Sequence, residues 1–78
     1  MNNVSDISHF TYKIAKLDVG IKINGRPMTE IDVSYLLTEC SVEAIIIPKS
    51  VGIMIKTTEN GSTREYFIPY SKVRSLEI

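Results

Sequence analysis

From Val51 to Ile68 two runs rich in β-forming residues flank Asn60-Gly61. Asn and Gly both tolerate the positive φ of a tight type I′ turn, so the pattern predicts a β-hairpin. A two-residue turn there sets Lys56 opposite Glu65, Ile55 opposite Tyr66, Met54 opposite Phe67 and Ile53 opposite Ile68. Charge then meets opposite charge and apolar meets apolar, and a slip of one residue loses all four matches. By the period of two, Val51, Ile53 and Ile55 share a core face with Tyr66 and Ile68, while Met54 and Phe67 lie on the second face.

The segment Val42-Glu43-Ala44-Ile45-Ile46-Ile47-Pro48 reads as a buried strand, being short, β-branched and bounded by proline. Pro69 removes a ladder donor, which predicts a sharp corner over residues 69–71 before a short closing strand with Val73, Leu76 and Ile78. In the first long run the apolar phase changes. Phe10, Tyr12 and Ile14 are even, whereas Ala15, Leu17, Val19, Ile21 and Ile23 are odd, which predicts a bulge near Ile14 and Ala15. Gly20 offers a second place to bend, as a small closed barrel requires. Asn24-Gly25 offers another tight turn, with Pro27 limiting the pairing beyond it. Residues 29–40 fit two patterns. Val33, Leu36, Leu37 and Cys40 have helical spacing, while Ile31, Val33, Tyr35 and Leu37 alternate as in a strand. The helix is preferred, with Thr29 as its cap and Asp32 as the capping-box acid.

These elements amount to one mainly β domain over residues 10–78, preceded by a polar leader over residues 1–9. At 78 residues the chain has room for a single modest core. With neither a disulfide pair nor a plausible metal site to staple it, self-association is the favoured way to bury more surface. Nine basic and nine acidic residues cancel, so no global field draws nucleic acid or an anionic membrane, and any such binding must be local. The lone Cys40 suits a reducing compartment, and the leader lacks the apolar stretch of an export signal, so a cytoplasmic location is expected. No apolar run approaches the roughly 18 residues of a membrane span, so no membrane partner is expected.

Candidate chemistry is sparse. One histidine and one cysteine are too few for a transition-metal site. His9 reads as solvated and Cys40 as a structural thiol at the end of an apolar stripe. Glu30, Asp32, Glu39 and Asp18 show no spacing that sets two carboxylates on one pocket wall. Nucleotide-cradling and nucleophile-elbow motifs are absent. A non-enzymatic protein without catalytic residues, metal or small-molecule cofactor is therefore expected. The richer cluster is Arg64, Tyr66, Tyr70, Lys72 and Arg74, in which basic and aromatic side chains interleave as single-stranded nucleic acid binding requires. A solvated hairpin edge gives the same pattern, and Tyr66 falls on the face assigned to the core.

Residues 51–78 add a resemblance to this reading. Strand, Asn-Gly turn, strand, the bend Ile68-Pro69-Tyr70-Ser71-Lys72-Val73 and a closing strand resemble the second half of an Sm-like barrel. The resemblance implies a small, strongly bent, five-stranded antiparallel barrel of the Sm-like or SH3-like kind, with one short helix. It also implies a homo-oligomeric ring that binds single-stranded RNA. By this resemblance Lys72 would be a phosphate contact and Tyr70 a base stacker, while Arg64 and Arg74 join them as expected RNA contacts from the basic and aromatic cluster alone. A divergent member of viral or mobile-element origin is the lineage it suggests. The alternative is a structural or protein-protein interaction module on the same barrel without nucleic acid.

Overall fold

The computed structural model describes residues 11–78, so the polar leader, His9 and Phe10 lie outside the described residues. The chain runs β1 (Ile14–Ile23), β2 (Arg26–Asp32), α1 (Val33–Cys40), β3 (Glu43–Pro48), β4 (Gly52–Glu59), β5 (Ser62–Pro69), a one-turn 3-10 helix (Tyr70–Lys72) and β6 (Val73–Glu77). The mainly β class is as expected, but there are six strands rather than five. They form two three-stranded antiparallel sheets, ordered β2-β1-β6 and β3-β4-β5, instead of one closed barrel. One isolated bridge links them, with Tyr12 N–H donating to the Ile46 carbonyl at 3.1 Å.

The β4–β5 hairpin has the expected register. Lys56 pairs with Glu65, Ile55 with Tyr66, Met54 with Phe67 and Ile53 with Ile68. Asn60 and Gly61 have φ of 52° and 80°, as a type I′ turn requires. Asn24 and Gly25 repeat that conformation at 56° and 77° and join β1 to β2. Pro27 does not stop this pairing; it sits opposite Lys22. The pair one step out from a two-residue turn exchanges no ladder hydrogen bonds, and β2 is an edge strand, so the missing N–H costs nothing there.

Tyr12 and Ala15 both pack on the core, so the change of phase lies where it is expected, but the ladder is regular at Ile14 and Ala15 and the bulges lie further along β1. Ala15, Leu17, Ile21 and Ile23 all face the core, and the β1–β2 register shifts between Lys16 and Ile21, where β1 residues 17–20 oppose Thr29 alone. Gly20, the second expected bend, lies in this irregular stretch. Across it β2 changes phase instead of β1, so that Met28 and Ile31 both reach the core. A second irregularity separates Lys16 from Leu17 on the β6 side and leaves Arg74 as the extra residue.

Residues 33–40 are helical, but the cap is Asp32, not Thr29, which lies within β2. Asp32 keeps extended backbone while its Oδ1 accepts from Ser34 N–H at 3.1 Å and Tyr35 N–H at 3.2 Å. At the other end Ser41 is left-handed with φ of 56°, and the N–H groups of Ser41 and Val42 donate to the Leu36 carbonyl. Leu36 is the helix residue buried in the core. Asp32→Ala should therefore cost about 1 kcal/mol, read from a urea midpoint, and Asp32→Asn should recover most of it.

The core is one cluster drawn from both sheets and the helix: Ala15, Leu17, Ile21, Ile23, Ile31, Leu36, Val42, Ile46, Ile53, Ile55 and Ile68. Two assignments to it fail. Val51 precedes β4 and is 67% exposed, and β3 is buried on one face only, leaving Ile45 42% exposed. Of the closing-strand residues, Val73 and Leu76 pack against the core while Ile78 is exposed. Among the described residues no helix is long and apolar enough to cross a membrane.

Candidate functional site

The four residues expected to contact RNA do not form one surface. Arg64 lies near the turn end of β5, opposite Thr57 on β4, and lines a cleft between the two Asn-Gly turns. Tyr70 and Lys72 share the 3-10 turn beyond the opposite end of β5, and Arg74 follows in β6 of the other sheet. Tyr70 has structural work. Its hydroxyl donates to the Lys49 carbonyl at 2.7 Å and its N–H to the Val51 carbonyl at 3.2 Å, which ties the corner to the β3–β4 connection. Arg74 Nε lies 3.4 Å from Asp18 Oδ1, an exposed pair of small energetic weight. Tyr66 is partly buried and bridges the sheets, donating from its hydroxyl to the Lys22 carbonyl at 2.8 Å. That carbonyl is free to accept because Lys22 belongs to the same unbonded pair as Pro27.

A different surface is continuous. Strand alternation sends Ile46, Ile53, Ile55, Tyr66 and Ile68 inward, and so places the intervening residues of β3, β4 and β5 on the outer face of their sheet. Registered pairs align these outward residues in rows: Ile47 with Met54 with Phe67, and next to it Ile45 with Lys56 with Glu65. Phe67 is 46% exposed and Ile45 42% exposed, while Ile47 and Met54 are half-buried by their neighbours. Lys56 Nζ stands 3.8 Å from Glu65 Oε2 at the border of this apolar strip. Beyond it Thr58 and Thr63 share a hydroxyl hydrogen bond of 3.1 Å. The sequence pattern had put Met54 and Phe67 on a second face but read β3 as wholly buried. An unbroken apolar run carries no alternation, so it cannot show that Ile45 and Ile47 extend the same strip.

Among the described residues no group of three or more His, Cys, Asp or Glu side chains is arranged to hold a metal ion, and Cys40 is a half-buried free thiol at the end of α1. Set against known proteins, the chain matches no family model, no curated protein and no solved structure.

Proposed function

We propose that this domain is a non-enzymatic protein-interaction module that pairs with a second copy of itself through the outer face of the β3-β4-β5 sheet. The observation that carries the reading is the strip Ile47, Met54, Phe67 and Ile45 bordered by Lys56 and Glu65. A surface with one cation and one anion side by side is complementary to itself about a two-fold axis, since each charge meets its opposite in the second copy. The zero net charge leaves no repulsion between copies to overcome. Three strands about 4.8 Å apart, six, eight and eight residues long, present a footprint of at most roughly 14 by 26 Å. That is well under the roughly 800 Å² per partner of a standard interface, so the pairing is weak and concentration-dependent.

The ring-forming, RNA-binding module implied by the Sm-like resemblance has less support, because Arg64, Tyr70, Lys72 and Arg74 are divided between two ends of β5 and two sheets. One experiment separates the two. Light scattering across a range of protein concentrations should show a mass rising from monomer to dimer in the micromolar range. Titration of the same sample with fluorescent poly-uridine at two salt concentrations should show no saturable binding. A mass that stays monomeric throughout overturns the proposal, and a salt-sensitive RNA complex built on a larger ring replaces it with the Sm-like reading.

Point variants sharpen the test. Ile45→Lys, on an exposed position of an edge strand, should abolish association while moving the melting temperature little. Lys56→Glu should also abolish it by setting like charges against each other, and the double exchange Lys56→Glu with Glu65→Lys should restore it.

A further inference from the structure

The two Asn-Gly turns stand side by side at one end of the molecule, and the space between them is a cleft of about 580 Å³. Its walls come from both sheets. Ile23, Asn24, Gly25 and Lys22 belong to the β1 side, and Thr57, Glu59, Asn60, Ser62, Arg64 and Tyr66 to the β4–β5 side. Tyr66 spans the two by its bond to Lys22. Thr57, Arg64 and Tyr66 all have the inward phase of their strands, in register with Ile55 and Ile68, so they continue the core face to the point where the sheets diverge.

Thr57 is the buried polar residue of the core, only 4% exposed, and its hydroxyl has no hydrogen-bond partner among the described residues. A buried hydroxyl without a partner costs free energy that a valine of the same shape would avoid. It lines this cavity. Directly across the strand pair is Arg64, which has no ion-pair partner among the described residues, and Lys22 on the rim is likewise unpaired. Glu59, the carboxylate of the cleft, accepts from the Asn24 side-chain amide when that amide is turned with its nitrogen towards it. Arg64, inward in phase and without an ion-pair partner, thus stands with one carboxylate already engaged by an amide, and its charge is left for an anion.

We propose that this cleft binds a small organic oxyanion, with the Arg64 guanidinium as charge partner and the Thr57 hydroxyl as a hydrogen-bond partner at its floor. A guanidinium presents a planar fork of donors that fits the two oxygens of a phosphate or a carboxylate equally well. The volume lies within the range of small-molecule sites and exceeds what a bare inorganic ion fills. The site is separate from the self-association face, because it lies on the inward phase of β4 and β5 at the turn end.

The test is a titration of isotope-labelled protein followed by the amide signals of Asn24, Gly25, Asn60 and Gly61, using adenosine monophosphate, inorganic phosphate and acetate, with adenosine as the uncharged control. Saturable shifts with adenosine monophosphate and not with adenosine are expected. Phosphate competing better than acetate assigns the oxyanion as a phosphate, and the reverse assigns a carboxylate. Arg64→Gln should weaken binding by roughly tenfold or more, as loss of a charge-assisted pair does. Thr57→Val should weaken it several-fold while melting at the same or a higher temperature, which separates lost binding from lost folding. The proposal is overturned if no anion gives a saturable shift at millimolar concentration, if adenosine binds as well as its monophosphate, or if both variants bind like the parent.

Discussion

Ile55→Ala is expected to lower the free energy of unfolding by about 3 to 4 kcal/mol, the largest loss for any single side-chain truncation on the central strand. Ile55 is fully buried in β4, with Ile46 directly across on β3 and Tyr66 across on β5. Truncation removes the transfer free energy of the lost carbons and leaves a cavity between two sheets that are held apart by their own ladders and cannot close on it. For a chain of this length the total stability is about 4 to 12 kcal/mol, so the variant stands near the edge of folding. Its melting temperature should fall on the order of 20 °C. Thermal and urea unfolding at concentrations well below the dimerisation range measure this without the contribution of self-association. A loss under 1 kcal/mol would mean that the two sheets do not share one close-packed core.

Gly52→Ala should cost about 2 to 3 kcal/mol for the addition of a single methyl group. Gly52 is buried at the start of β4 and pairs with Pro69 at the end of β5. A Cβ there would fall against the Ile68 carbonyl oxygen, 2.7 Å from Phe67 Cζ and 2.8 Å from Pro69 Cα. Two of the three obstacles are backbone, so relief requires the strands to part at their last pair. The Phe67 ring could rotate away, but Pro69 and the Tyr70 N–H bonded to Val51 hold the corner in place. The damage would therefore spread to the outer strip, and self-association should weaken with stability. Circular dichroism melts beside a sedimentation series read both effects. An unchanged melt would show that the corner is looser than its contacts require.

What could be read along the chain was whatever depends on near neighbours. The Asn60-Gly61 hairpin was legible to the residue, because a two-residue type I′ turn sets the register and four cross-strand pairs agree with it. The corner at Pro69 and the strand after it were legible for a similar reason, since proline acts on its own backbone and the next residues must turn. The helix was only half legible. Both periodicities fitted residues 29–40, and the choice came from β2 running on to Asp32, whose side chain then caps the chain as it leaves the sheet so that Leu36 can enter the core.

The basic and aromatic residues between Arg64 and Arg74 show that neighbours in sequence need not share one surface. Arg64 and Arg74 are ten positions apart, but a corner intervenes and the chain passes from one sheet to the other between them. Nor was the vacant hydroxyl of Thr57 visible, because whether a polar group is partnered depends on what the opposite sheet brings to it.

The sequence by itself determined that the chain is mainly β, that it turns tightly at Asn60-Gly61, and which residues of that hairpin face one another. These follow from backbone preferences and period-two alternation acting over a few residues. Only the tertiary structure decided that six strands divide into two sheets, that Ile45 faces outward and Val51 lies off the core, and that Thr57 and Arg64 meet in a cleft. Each of those depends on contacts between segments far apart in the chain, whose energies come from packing and burial rather than from local pattern.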